Sequence, residues 1–326
     1  MSQRTIDIDG NGTIEMDELK TFIPPEHHDR LTEAFKEADV NKDGKLDRRE
    51  LRNLWQRKAY WFAKVIVEPK NLRGDSVDGA YADEYSCFPP PIFMFSITLI
   101  MIGIFAYHTN EIIEKIGPIG INGPPPMDSV FIYDPYRRYQ AWRFLTYMFV
   151  HAGWVHITSN VVMQLFLGIL LEMVHKWWRV LLVYCLGVIA GSLATSITDP
   201  TVFLAGASGG VYALITAHMA TVILNWKEME LPWVRVISFT AFATLDVGVA
   251  LYYRYVDPIE QRIGYAAHGG GALVGLLVGI FVLRNLRPTS FEKKLWWTSL
   301  VVTIILGVIA IGWNLLYSDY FPAPRY

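Results

Sequence analysis

The chain has 326 residues, 29 of them basic and 31 acidic, for a net charge of −2, which excludes the basic footprint of a nucleic-acid-binding protein. With 52% hydrophobic residues and a mean hydropathy of +0.25, a single soluble core is excluded too, because long uncharged runs would have no side to turn to water. Two cysteines, Cys87 and Cys185, are too few for a disulfide scaffold.

Charge is unevenly spread. Residues 1–90 hold 18 acidic and 14 basic side chains, 32 of the 60 charges, while the other 236 residues share 28. Two different materials are therefore joined end to end. The polar part opens with Asp7, Asp9, Asn11 and Glu18 at positions 1, 3, 5 and 12 of a twelve-residue segment, with Gly12 at position 6 and Ile14 at position 8. Residues 39–50 repeat the pattern with Asp39, Asn41, Asp43, Gly44, Leu46 and Glu50. Oxygen donors at these positions suit Ca²⁺, the glycine allows the sharp turn, and position 7, here Thr13 and Lys45, contributes only its main-chain carbonyl. With starts 32 residues apart, the two segments resemble an EF-hand pair, assigned to residues 1–55. Only six residues precede Asp7, short for an entering helix, so the first hand is expected to bind weakly or to want an upstream segment. Residues 56–90 read as a juxtamembrane linker. The basic, aromatic stretch from Arg52 to Lys64 suits either the exiting helix of the second hand or an amphipathic helix on anionic lipid. Cys87 is read as an ordinary thiol, with acylation as the alternative.

Seven apolar windows follow, at 91–107, 148–171, 179–198, 208–225, 233–253, 264–283 and 296–316, each long enough to span a bilayer. The membrane domain is thus 91–316, with a tail at 317–326. An odd number of crossings puts the termini on opposite sides. The acidic, polar start is not a cleavable signal, so the first span is expected to direct insertion. Eight Lys and Arg residues fall on the side shared with the N-terminus and seven on the other, the latter mostly in one long loop that translocates regardless of charge, so the N-terminus is placed in the cytosol and the tail outside it. That loop, residues 108–147, is rich in aromatics, Pro and Arg and is expected to be structured.

Polar groups inside lipid-spanning segments are costly and by default functional. The second span contains His156 and Asn160 on one helical face, with His151 just before them. The fourth opens with Gly206-Ala207-Ser208-Gly209-Gly210 and carries Tyr212, the fifth holds Asp246, and the sixth reads Ala267-His268-Gly269-Gly270-Gly271 with Gly275 and Gly279 beyond. A serine hydroxyl needs a base to become a nucleophile. His268 is the histidine well inside the sixth span, and the glycine stripe would let that helix press close to the fourth. Ser208 at a helix N-terminus would have backbone N–H groups ready for a developing oxyanion. His156 and Asn160 could add donors, and Tyr212, one turn on, could stack on the imidazole. Read singly, each feature has a plain alternative in helix packing or interhelical hydrogen bonding.

Jointly, Trp142-Arg143, the series His151, His156, Asn160, the run Gly206-Ala207-Ser208-Gly209 with Tyr212, and Ala267-His268 with Gly271 and Gly275 resemble the rhomboid intramembrane serine proteases over roughly residues 87–316. The resemblance implies an all-α fold: a polytopic membrane helical bundle of six core spans plus a seventh C-terminal span, with an N-terminal EF-hand domain. It implies Ser208 as nucleophile, His268 as general base, and an oxyanion hole from the Ser208 N–H, His156 and Asn160, supported by Gly206, Gly209 and Tyr212. It implies Ca²⁺ on the EF-hands as a non-catalytic cofactor, single-pass membrane proteins as substrates, and residence in the Golgi or plasma membrane. Asp246 is expected to be structural, since the family uses a dyad. No His-Glu-x-x-His zinc motif and no second intramembrane aspartate is present. A silent relative that binds transmembrane helices and a calcium-gated channel or transporter are the competing readings; inactive relatives typically lack the serine or the histidine, and both are here.

Overall fold

A computed structural model describes residues 13–22, 32, 35–36, 39, 41–46, 50, 81–118, 120–229, 231–255 and 264–325. Asp7, Asp9, Asn11, the stretch 52–64 and the Asp246 side chain lie outside the described residues. The chain separates into two units, 1–74 with 86–88 and 75–85 with 89–326.

In the first unit, β1 (Ile14–Glu15) pairs antiparallel with β2 (Lys45–Leu46), placing Ile14 opposite Leu46. These are the apolar eighth positions of the two acidic segments, so each segment supplies one short strand of the same ribbon. Lys45 Nζ lies 2.8 Å from Glu15 Oε1 across it. Helix α1 (Met16–Phe22) follows β1 directly, with acidic Asp17 and Glu18 in its first turn, where the helix dipole favours them.

Among the described residues, the second unit is a bundle of seven long α-helices and one short one: α2 (Ile92–Ile116), the short α3 (Arg143–Thr146), α4 (Gly153–His175), α5 (Trp177–Thr198), α6 (Ser208–Leu224), α7 (Pro232–Tyr255), α8 (Tyr265–Val282) and α9 (Ser290–Leu316). Five of these, α2, α4, α5, α8 and α9, are long and apolar enough to cross a membrane; α6 is a shorter apolar helix. Leu, Ile, Phe and Trp side chains exposed around the bundle, such as Leu99, Phe166 and Ile305, would face lipid rather than water.

Helix α2 runs to Ile116, nine residues past its hydropathy window and into the stretch read as loop, and α4 runs four residues past its own, to His175; two helix starts also differ, each with a local cause. Helix α4 starts at Gly153 rather than 148, since residues 147–149 form a separate 3₁₀ turn and Gly153 has φ +73°. A Cβ there would collide with the backbone of Ile121 and Gly123, so the chain turns where only glycine fits. Helix α9 begins at Ser290, ahead of the apolar window, because Thr289 and Glu292 form a reciprocal capping box.

Helices α5, α6 and α8 form the tightest part. A Cβ on Gly271 would overlap the Gly209 carbonyl, one on Gly275 the backbone of Ala213, and one on Gly279 would come within 2.7 Å of Ala220. The stripe therefore lets α8 lie directly on α6. Gly270 does the same toward α5, where a Cβ would meet the Ala190 carbonyl at 2.6 Å. The long loop is ordered by Arg143. Its buried guanidinium donates to the Ser129 and Ile132 carbonyls at 3.0 and 2.7 Å and to Gln140 Oε1.

Candidate active site

The loop that leads into α6 is tied down residue by residue. Tyr133 and Leu204 exchange both backbone hydrogen bonds, at 3.0 and 3.1 Å, Gly206 N–H donates to the Tyr147 carbonyl at 3.1 Å, and Ala207 N–H donates to His151 Nε2 at 3.4 Å. Gly206 has φ +116°, and a Cβ there would lie 2.6 Å from His156 Nε2. The loop thus delivers Ser208 as the first residue of α6, with Ala207 as N-cap making no side-chain cap. The first N–H groups of a helix have no intrahelical carbonyl to bind.

His156 stands on the first turns of α4. Its Nδ1 accepts the Ala152 N–H at 3.3 Å, which puts the ring hydrogen on Nε2, the atom nearest Gly206. Asn160, one turn along, is buried and donates through Nδ2 to the His156 carbonyl at 2.8 Å. On α8, His268 stacks on Tyr212 of α6 with ring centroids 4.4 Å apart and planes within 15°. Ser208, His268, His156, Asn160 and Tyr212 all line one cavity of about 540 Å³. Ser208, His156 and His268 are half-buried, each showing part of its surface to the cavity. Met127 and Ile132 of the long loop, Phe203 and Leu204 before α6, and Phe242 of α7 form its other walls. Gly209 lies behind Ser208 against the Tyr147 hydroxyl and α8.

Several supports have no counterpart among the residues singled out from sequence. The Tyr147 hydroxyl donates to the Val188 carbonyl at 2.8 Å and sits where a Cβ on either Gly191 or Gly209 would come within 2.9 Å of it. Gln164 links α2 to α5, donating to Thr98 Oγ1 at 2.6 Å and accepting from the Tyr184 hydroxyl at 2.9 Å. Glu172 caps α2 from α4, accepting the Phe93 and Met94 N–H groups at 2.9 and 3.0 Å.

In the first unit, the carboxylates of Asp39, Asp43 and Glu50 bring oxygens within 4.8 Å of one another. Asp39 also accepts the Asp43 and Gly44 N–H groups at 3.1 and 2.8 Å, and Asn41 Oδ1 accepts the Asp43 N–H at 2.9 Å. These bonds hold the turn in the shape that gathers the oxygens. An all-oxygen donor set of this kind fits a hard divalent cation such as Ca²⁺. Of the first segment, Thr13 and Glu18 are described, and Glu18 Oε2 accepts the Glu15 N–H at 2.9 Å.

Residues 138–285 match the Rhomboid domain, residues 30–58 the EF hand domain and residues 4–23 an EF hand. The chain is 38% identical over 255 residues to Rhomboid-related protein 2 of Mus musculus, covering 77% of this chain and 84% of that one. The chain belongs to the rhomboid family. It is also similar to Rhomboid-related protein 3 of Homo sapiens, at 37% identity over 240 residues, covering 72% of this chain and 59% of that protein. A third relative is named Inactive rhomboid-related protein 2, from Caenorhabditis elegans, 33% identical over 249 residues with coverage of 76% and 70%. This rhomboid chain thus spans about three fifths of the human relative's length. The rhomboid match begins within the long loop and ends just past α8, so it takes in the described residues that line the cavity from α4, α6 and α8.

Proposed function

We propose that this rhomboid chain is an intramembrane serine endopeptidase that cleaves single-pass membrane proteins within or near their transmembrane helix. The observation that carries the reading is one cavity lined by a serine at the first position of a helix, a histidine held by ring stacking, and a second histidine whose Nε2–H is free to donate beside them. In this mechanism Ser208 Oγ attacks the scissile carbonyl while His268 takes its proton. The resulting oxyanion is met by the Ser208 N–H, His156 Nε2–H and Asn160. His268 then gives the proton to the leaving amine, and a water deprotonated by His268 repeats the attack to release the acyl group. Tyr212 keeps the imidazole in the plane needed for both transfers. Asp246 has no role in this scheme.

The cavity has room for water as well as chain, which hydrolysis at membrane depth requires. The reading extends to Ca²⁺ as a ligand of the EF-hand unit, to a cytosolic N-terminus, and to a place in the secretory pathway, at the Golgi or plasma membrane, by family resemblance. Co-expression of the chain with a panel of single-pass proteins tests the chemistry. Ser208→Ala is expected to abolish cleavage, with the variant still inserted and folded. Undiminished cleavage by that variant overturns the proposal.

A further inference from the structure

Ser208 is delivered by residues 199–207, and different partners hold the two halves of that loop. The half next to Ser208 is fixed by its own backbone, Gly206 to the Tyr147 carbonyl and Ala207 to His151. Phe203, before it, walls the Ser208 cavity and meets the ring of Tyr136 in the long loop, with centroids 6.1 Å and planes 40° apart. The Tyr136 N–H is used within its own turn, by Asp134 Oδ1 at 2.9 Å. Its ring is only half-buried and lines a second cavity, of about 640 Å³, shared by the long loop, α5, α9 and the C-terminal tail. An aromatic ring that borders a void has no packing contacts on that side, so its position depends on what else grips it.

That grip comes from the tail. The Arg325 guanidinium lies over the Tyr136 ring, 3.8 Å from its centroid, and the Arg325 N–H donates to the Tyr136 carbonyl at 2.9 Å. The Tyr139 hydroxyl donates to the Arg325 carbonyl at 3.3 Å. The tail is itself anchored further up. Phe321 is buried beneath the Arg138 guanidinium, which also donates to the Asn314 carbonyl of α9 at 3.1 Å. The Tyr320 hydroxyl donates to the Ile197 carbonyl in the last turn of α5, just ahead of residue 199. The tail is thus tied both to the helix that leads into the loop and to the ring that faces Phe203. We propose that Arg325 is a positioning residue for cleavage: through Tyr136 it holds Phe203, and with it one wall of the cavity that receives the substrate chain. The inference rests on the serine endopeptidase reading of that cavity. Because the backbone around Ser208 is fixed separately, loosening Phe203 weakens substrate binding without disturbing the reacting groups. A contact made equally to bound substrate and transition state shows in KM and leaves kcat alone.

Two variants of the purified full chain test this. Arg325→Ala removes one exposed side chain and keeps its N–H, so folding is not at stake; deletion of residues 317–326 removes the whole brace. A cation stacked on a ring at an exposed site is worth about two- to fivefold in an equilibrium. With the best-cleaved member of the single-pass panel as substrate, Arg325→Ala is expected to raise KM by about that factor at unchanged kcat, and the deletion to raise it further. Arg325→Lys, which keeps the charge without the planar face, recovers only part of the loss. Labelling of Ser208 by a small fluorophosphonate, which reports on the serine without filling the cavity, is expected to keep its wild-type rate, while hydrogen exchange quickens at 201–204. An unchanged KM, or unchanged exchange at 201–204, in the deletion overturns the proposal. So does a fall in kcat and labelling at constant KM, which would make the tail a support of Ser208 and His268. A wild-type chain that cleaves no member of the panel and is not labelled defeats the protease reading instead, and the exchange comparison still decides whether the tail holds Phe203.

Discussion

Gly269, Gly270 and Gly271 are identical side chains in consecutive positions with three different jobs. Gly271 sits where any Cβ would overlap the Gly209 carbonyl, Gly270 faces Ala190 and Ala194 on α5, and Gly269 has nothing within 4 Å. Gly271→Ala is therefore expected to push α8 off α6 and to cost about 1–3 kcal/mol, the usual penalty for overpacking. Gly269→Ala should stabilise the helix by about 0.5–1 kcal/mol. Thermal unfolding of the two variants in the same detergent gives the comparison, and an unstable Gly269→Ala with a stable Gly271→Ala would show the helix rotated from this placement. The sequence made the stripe visible because glycine at four-residue spacing has few other uses in a span. It set Gly269 and Gly270 outside the stripe but did not distinguish one from the other, since the two faces of α8 are separated only by which helices lie against them. Tyr147 was illegible for the same kind of reason. Its hydroxyl is used by the Val188 carbonyl, 41 residues away, and no local pattern announces that. Glu172 and Gln164 were legible in principle as polar residues in or at the edge of an apolar run, the same signal that marked His156 and Asn160.

The long loop was expected to be structured from its composition, and one guanidinium supplies several of the hydrogen bonds that structure it, beside the Tyr133–Leu204 pair. Arg143 reaches two carbonyls, of Ser129 and Ile132, and the Gln140 side chain from a buried position. Ile132 and Met127, on the segment so held, are walls of the Ser208 cavity. The C-terminal tail acts on the next part of the loop. Arg138 lies over the Phe321 ring at 3.3 Å, Arg325 over the Tyr136 ring at 3.8 Å, and the Arg325 N–H donates to the Tyr136 carbonyl at 2.9 Å. Loop and tail thus form one small layer over the helix ends. Arg143→Lys keeps the charge but loses the planar fork that serves several acceptors at once. It is expected to leave at least one buried carbonyl without a partner, at about 1–3 kcal/mol. Hydrogen exchange should show faster opening at 129–133 with α8 unchanged; uniform loss of protection across the helices would instead mean that Arg143 supports the bundle as a whole.

On the scale of the whole chain, each hydropathy window fell on a long helix, because in lipid every backbone polar group must be satisfied within its own helix, but the end of α2 was missed by nine residues and the start of α9 by six. The ends were less legible, since caps such as Glu172 on α2 come from another helix. The EF-hand unit was read from spacing alone, and the ribbon pairs the eighth positions of the two segments, Ile14 and Leu46. A seven-crossing topology with a cytosolic N-terminus would expose that unit to cytosolic calcium, where sensor sites work at roughly 10⁻⁷–10⁻⁵ M, rather than to the far higher levels met by extracellular modules. Glu50 is buried and its Oε1 accepts the Asn41 N–H at 3.2 Å, so it closes the second loop as well as supplying oxygens to it. Glu50→Gln removes a charged donor and should weaken calcium binding by at least about tenfold, measured by calorimetry on the purified chain. If calcium regulates cleavage, the same variant should shift the calcium dependence of cleavage to higher concentration while leaving the calcium-free rate unchanged. A cleavage rate in the wild-type chain that is the same at every calcium level would separate the two units functionally, leaving calcium to act on where the protein goes or what it meets.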